Sequence, residues 1–204
     1  PVPERTRTEE LLKRPAKREG IKTPSAVQYV ARAGHIKKYY GTYRILKVIL
    51  SYDYLWINLR VKGGAYGCMS GFKRNGESFL VSYRDPHLKR TLEVYQGVPD
   101  YIRAFEADER EMTKYIIGTI SNKDVPRTPQ MQGSISKTAY FSNVTEDMLQ
   151  KERNQILGAQ KEDIQKLAAL VEAVLSDDQI CVVGSETAIE KAEDVFMEVK
   201  PLIG

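Results

Sequence analysis

The sequence predicts an α+β fold, an antiparallel sheet covered mainly on one face by helices. Three observations predict it. Element signals run in the order strand, helix, hairpin, several helices, strand, helix. The helices are too clustered for a regular alternating α/β wind. Lys73-Arg74-Asn75-Gly76 is a hairpin turn signal between two strand-like runs, which makes that pair antiparallel.

Residues 1–22 read as an inter-domain linker or edge extension, ended by Thr23-Pro24-Ser25, and residues 23–204 as a single domain. Ala26–Ala33 alternates as a strand does, and Gly34 is expected to break it. From Lys38 to Arg60, apolar residues recur at Tyr43, Leu46, Ile49/Leu50, Tyr54 and Ile57, which is helical spacing, and Gly63-Gly64 stops the helix. Ala65–Phe72 and Ser78–Tyr83 form the hairpin strands.

Asp85-Pro86 reads as a helix cap with a first-turn proline. Helical pattern follows from His87 to about Phe105, interrupted near Gly97-Val98-Pro99, then from Asp108 to Ser121. Residues 122–134 read as a polar loop and Ile135–Phe141 as a short helix. Thr145-Glu146-Asp147 opens a helix to about Ala159, and Lys161–Leu175 is the next. Gln179–Val183 is a compact strand, and a last helix is expected over Thr187–Val199, stopped by Pro201.

Composition sets the class. Of 204 residues, 42% are hydrophobic and 28% charged, which suits a globular domain with a real core. No apolar run approaches the ~20 residues of a membrane helix, and the charged first twenty residues do not read as a signal peptide. The net charge is +4. It is concentrated in residues 1–22, where seven Lys or Arg face four Glu. A basic arm can bind nucleic acid, but the interleaved acids and Pro1, Pro3 and Pro15 favour a solvated linker. Cys68 and Cys181 sit in apolar strand-like runs and read as buried reduced thiols, which points to an intracellular compartment.

The chemistry available is narrow. His35 and His87 have no Cys, His or carboxylate partner at ligand spacing, so no metal site is expected in this chain. There is no G-x-S-x-G, and Cys68 fits a packed strand cysteine better than a nucleophile. Gly63-Gly64-Ala65-Tyr66-Gly67 leads from helix to strand, the reverse of a phosphate loop. Arg60 and Tyr66 remain, six positions apart across that turn. Arg60 also suits a helix C-terminus electrostatically, and Tyr66 a strand aromatic in the core. Presented together, a fixed cation and a phenol suit an oxyanion or peptide carbonyl, though they hydrolyse nothing unaided.

Leu50–Tyr95, with R-V-K-G-G-A-Y-G followed by S-Y-R-D-P, closely resembles the presequence-protease subgroup of the pitrilysin/insulinase metallopeptidases, and specifically the last domain of those enzymes. The likeness continues through Asp108–Ser121 and Ile180–Gly184, and His87 stands where relatives often carry asparagine. The resemblance implies a clamshell of two halves closing on an unfolded peptide, such as a presequence. It implies zinc bound by the N-terminal half of the same polypeptide, which this chain lacks. It also implies that Arg60 and Tyr66 complete the active site on closure, Tyr66 donating to the oxyanion and Arg60 holding substrate backbone. Gly63 and Gly64 would keep the turn slim for the peptide. This chain alone is then expected to be inactive. A bacterial cytoplasm or an organelle matrix fits as its location. A non-catalytic scaffold of the same fold and a basic-arm nucleic-acid binder are the competing readings.

Overall fold

The computed structural model describes residues 17–202. Six strands form one mixed sheet: β1 (Arg18–Thr23), β2 (Gln28–His35), β3 (Gly67–Phe72), β4 (Glu77–Asp85), β5 (Gln179–Ser185) and β6 (Glu198–Pro201), in the order β3-β4-β2-β5-β1-β6. The hairpin half is antiparallel, but β1 pairs parallel with both β5 and β6. The sheet is therefore mixed rather than purely antiparallel. The reason lies at the two ends of the chain. Arg18–Lys22, expected in the linker or edge extension, enters the sheet between β5 and β6. The expected last helix is only α9 (Glu186–Glu190) and a tight turn at Glu193–Val195 before β6 begins. The basic arm otherwise lies outside the described residues. Its described cations are paired, Lys17 with Glu19, Arg18 with Asp178 and Lys22 with Glu190.

One face of the sheet carries the core. Val30, Leu80, Ile180 and Val182 point into it and are buried, as the period of two requires. On the other face lie Tyr29 and Met69, about half exposed, with Phe79, Val81 and Tyr83 partly so. The helices cover the first face. Gly34 does not break β2: a Cβ there would stand 2.0 Å from the Val174 carbonyl oxygen, so glycine lets the α8 backbone (Leu167–Ser176) lie against the strand.

The helix before the turn departs from the expected phase. α1 (Thr42–Ile49) runs directly into two wide-turn segments, Leu50–Tyr54 and Trp56–Val61, where an N–H reaches back five residues, as from Lys62 to the Ile57 oxygen at 2.9 Å. Each wide turn takes more residues than an α turn. The buried positions therefore fall at Leu50, Leu55 and Leu59, while Tyr54 is only partly buried and Ile57 is exposed. Each leucine so buried contributes about 1.5–3 kcal/mol. The shift also leaves Trp56 and Arg60, one residue beyond Leu55 and Leu59, on the exposed flank.

The remaining helices are α2 (Lys89–Gln96), α3 (Val98–Arg103), α4 (Glu109–Lys123), α5 (Pro129–Phe141), α6 (Glu146–Leu157), α7 (Lys161–Gln165) and α8. Asp108 caps α4 with a reciprocal Glu111 box, and Thr145 caps α6. Asp85 does not cap a helix directly. One carboxylate oxygen accepts from the His87 N–H at 2.9 Å and the other from the Thr91 hydroxyl at 2.7 Å, and α2 starts only at Lys89. The polar loop expected over 122–134 is shorter than the sequence suggests, because Thr128 caps α5 and Pro129 opens it.

Glu152 ties the helical layer together. Its side chain is 2% exposed and accepts from Arg44 Nε and Lys123 Nζ at 2.7 Å each, and from Arg74 in the hairpin turn. Burial works to raise its pKa. The Lys123 hydrogen bond and the Arg44, Lys123 and Arg74 charges outweigh that, and it lies below the usual carboxylate range. Among the described residues no helix is long and apolar enough to cross a membrane.

Candidate functional site

Arg60 lies in the last turn of the wide-turn helix, which ends at Val61, and Tyr66 stands one residue before β3. The turn between them is set by backbone hydrogen bonds, from Gly64 N to the Arg60 oxygen and from Ala65 N to the Leu59 oxygen, both 2.9 Å. The two glycines serve this turn differently. Gly63 is buried, and a Cβ there would come within 2.4 Å of the Leu59 oxygen. Gly64 is exposed and a Cβ there would meet only Pro86 Cγ, at an ordinary contact distance of 3.6 Å, but its φ of +78° is left-handed, a conformation glycine adopts without strain.

Tyr66 is 60% exposed, so it is a rim residue rather than a core aromatic. Arg60 is exposed too, and its guanidinium stacks on the Trp56 ring at 4.1 Å from the centroid. Among the described residues neither the Arg60 guanidinium nor the Tyr66 hydroxyl has a hydrogen-bond or ion-pair partner. The two sides of the turn sense each other electrostatically. Burial pushes the Cys68 thiol up, the Arg60 charge pulls it back, and the Asp85 carboxylate raises it again. Cys68 is partly buried rather than sealed in the core.

The surroundings are positive. Lys62, Arg84 and Arg90 are exposed beside the turn, Arg90 donating to the Lys62 carbonyl at 3.0 Å and Arg84 lying over the Tyr66 ring. None of them forms an ion pair among the described residues. Such a rim can hold carbonyl oxygens or a developing oxyanion. A guanidinium and a neutral phenol bind and polarise but do not activate water, so Arg60 and Tyr66 hydrolyse nothing by themselves. Trp56 and Arg84 were not singled out by sequence. The signal for Trp56 was its i−4 spacing from Arg60; for Arg84 there was none, because a left-handed arginine is not readable from residue type.

A zinc site does not fit the described residues. Among the described residues no group of three or more His, Cys, Asp or Glu could hold a metal. His35 and His87 are both exposed, and His35 Nε2 lies 3.2 Å from the Asn75 carbonyl.

Solved structures share this fold. The fold matches a peptidase M16 inactive domain from Pseudomonas fluorescens with a TM-score of 0.61 at 17% identity, covering 93% of this chain and 44% of that one. Pitrilysin matches with a TM-score of 0.55 at 18% identity, over 82% of this chain and 19% of that one. The fold is thus one found among peptidase M16 structures. Within that class, a family profile described as PreP C-terminal domain matches residues 18–186, and the chain belongs to that family, the C-terminal domain of presequence-protease-like M16 peptidases. It is 48% identical over 191 residues to protein HypA of Clostridium perfringens, covering 92% of this chain and 20% of that protein. It is 33% identical over 194 residues to presequence protease 1, chloroplastic/mitochondrial, of Arabidopsis thaliana, covering 91% of this chain and 18% of that protein. The chain therefore spans about a fifth of the length of these relatives.

Proposed function

We propose that this chain is the closing domain of a longer metalloendopeptidase that degrades unfolded peptides such as presequences. In this reading it folds over a metal-bearing N-terminal half of the same polypeptide. Arg60 holds a substrate carbonyl and supplies positive charge. The Tyr66 phenol donates a hydrogen bond to the carbonyl oxygen as it becomes an oxyanion. Gly64 offers slim backbone where the peptide must approach, and Gly63 holds the helix end that aims Arg60.

The observation that carries the proposal is that Arg60 and Tyr66 are both exposed, on either side of one five-residue turn, with no partner among the described residues. Polar groups left unsatisfied at a rigid, positive rim are preorganised for charge that arrives with a ligand. Because the described residues do not form a zinc site, no metal step is assigned to them, and chemistry waits on closure. The chain alone is then inactive, with zinc carried by the rest of the polypeptide.

The test is turnover of an unfolded peptide by the full-length protein. Arg60→Ala and Tyr66→Phe should each lower kcat on the order of 10²–10³-fold, with bound metal unchanged. Near-normal turnover in both removes the proposal.

A further inference from the structure

We propose that Arg84 is a positioning residue for Tyr66, clamping the phenol ring so that its hydroxyl stays aimed at the substrate; the inference rests on the peptidase reading above. Arg84 has a φ of +48°, in the left-handed region. An arginine pays a steric penalty there that glycine does not, and such strain persists only where the surroundings enforce it. The strain has a visible consequence. Along β4, Leu80 and Ser82 point to the core, and plain alternation would send residue 84 the same way. Instead Arg84 is exposed and its guanidinium stands 5.7 Å from the centroid of the Tyr66 ring.

The same residue holds Tyr66 twice, because the Arg84 carbonyl also accepts from the Tyr66 N–H at 3.2 Å. On another side of the phenol lies the Tyr83 ring, 5.5 Å away and tilted by 58°. Tyr83 is itself seated on Gly67, where a Cβ would come within 2.5 Å of its ring. The Tyr66 ring is thus bounded by an aromatic and by a cation. No acidic side chain draws Arg84 elsewhere, since it forms no ion pair among the described residues. The Tyr66 ring is the contact that the strained backbone secures.

Arg84→Gly separates this role from a structural one. Glycine relieves the left-handed strain, so Tm should stay level or rise, whereas a merely structural arginine would lower it. In the full-length protein, kcat for an unfolded peptide should fall about tenfold, as expected for a misplaced donor, with KM little changed. Arg84→Lys, which keeps a cation over the ring, should recover part of the loss. In a Tyr66→Phe background, Arg84→Gly should cost nothing further. Wild-type kcat in Arg84→Gly overturns the inference while leaving the role of Tyr66 intact. A further tenfold loss on top of Tyr66→Phe also overturns it, because Arg84 would then be touching substrate itself. Normal turnover in Tyr66→Phe alone removes the peptidase role of Tyr66 and this inference with it.

Discussion

The Arg60 guanidinium lies over the Trp56 ring, 4.1 Å from its centroid and four residues along the same wide-turn helix. Trp56 is the single tryptophan of the chain and is 39% exposed, so the emission of this chain reports on the surroundings of that one ring, the Arg60 contact among them. Arg60→Ala uncovers the ring, and the emission maximum should move to longer wavelength without a change in far-ultraviolet circular dichroism. An unchanged spectrum would contradict the stacked geometry.

Stacking also fixes where Arg60 points. A cation on an exposed indole is worth about 0.5–1 kcal/mol. Trp56→Leu in the full-length protein should therefore lower kcat/KM by a few fold and add little to Arg60→Ala. Additive losses in the double variant would mean that Trp56 acts independently of Arg60.

The glycine turn makes a graded prediction. Gly64→Ala meets no clash, only Pro86 Cγ at 3.6 Å, but a φ of +78°, a strain of about 1 kcal/mol. Gly63→Ala drives a Cβ to 2.4 Å from a backbone oxygen that cannot swing aside, so it should cost more, about 2–3 kcal/mol. Urea unfolding of the two variants checks the order. A Gly64→Ala loss larger than that of Gly63→Ala contradicts the turn geometry.

Glu152 gives the pH dependence. Its carboxyl titrates below its unfolded value of about 4.5 in the folded state. The stabilisation is complete above that value and is lost as pH falls through the lower folded pKa. Unfolding free energy should drop on acidification below about pH 4.5. Glu152→Gln should remove about 3 kcal/mol at neutral pH, since Arg44, Arg74 and Lys123 lose their shared anion. A variant as stable as wild type would show that the three cations rest as well in solvent.

Some of this structure could be read from residue type and some could not. The hairpin was legible because Asn75-Gly76 carries a turn conformation, and Gly76 has a φ of +96°. The stop at Gly63-Gly64 and the caps at Asp108 and Thr145 were legible for the same local reason. Leu50 and Leu55 are five apart, and that spacing was the trace of the wide turns; a strict 3.6 period placed Tyr54 and Ile57 inward instead. Gly34 looked like a breaker because its neighbour, the Val174 carbonyl, comes from a helix 140 residues on. The parallel pairs of β1 were invisible for a related reason, as their partners β5 and β6 lie at the far end of the chain. Met197–Lys200 alternates as well as it fits a helix turn, and pairing with β1 decided it. Of the candidate site, Arg60 and Tyr66 came from spacing across a turn together with the family likeness. The supports beneath them, Trp56 and Arg84, depend on side-chain packing and a left-handed residue.

If the Tyr66 phenol meets the reacting carbonyl as it becomes an oxyanion, it must favour a charged tetrahedral mimic over an uncharged amide. A phosphinic peptide carries charge where the oxyanion forms, and the matching amide peptide does not. Binding of both to the full-length protein and to its Tyr66→Phe variant can be measured by calorimetry. The variant should lose on the order of 10²-fold in affinity for the phosphinic peptide and little for the amide. Equal affinities of the variant and the wild type for the phosphinic peptide would contradict it.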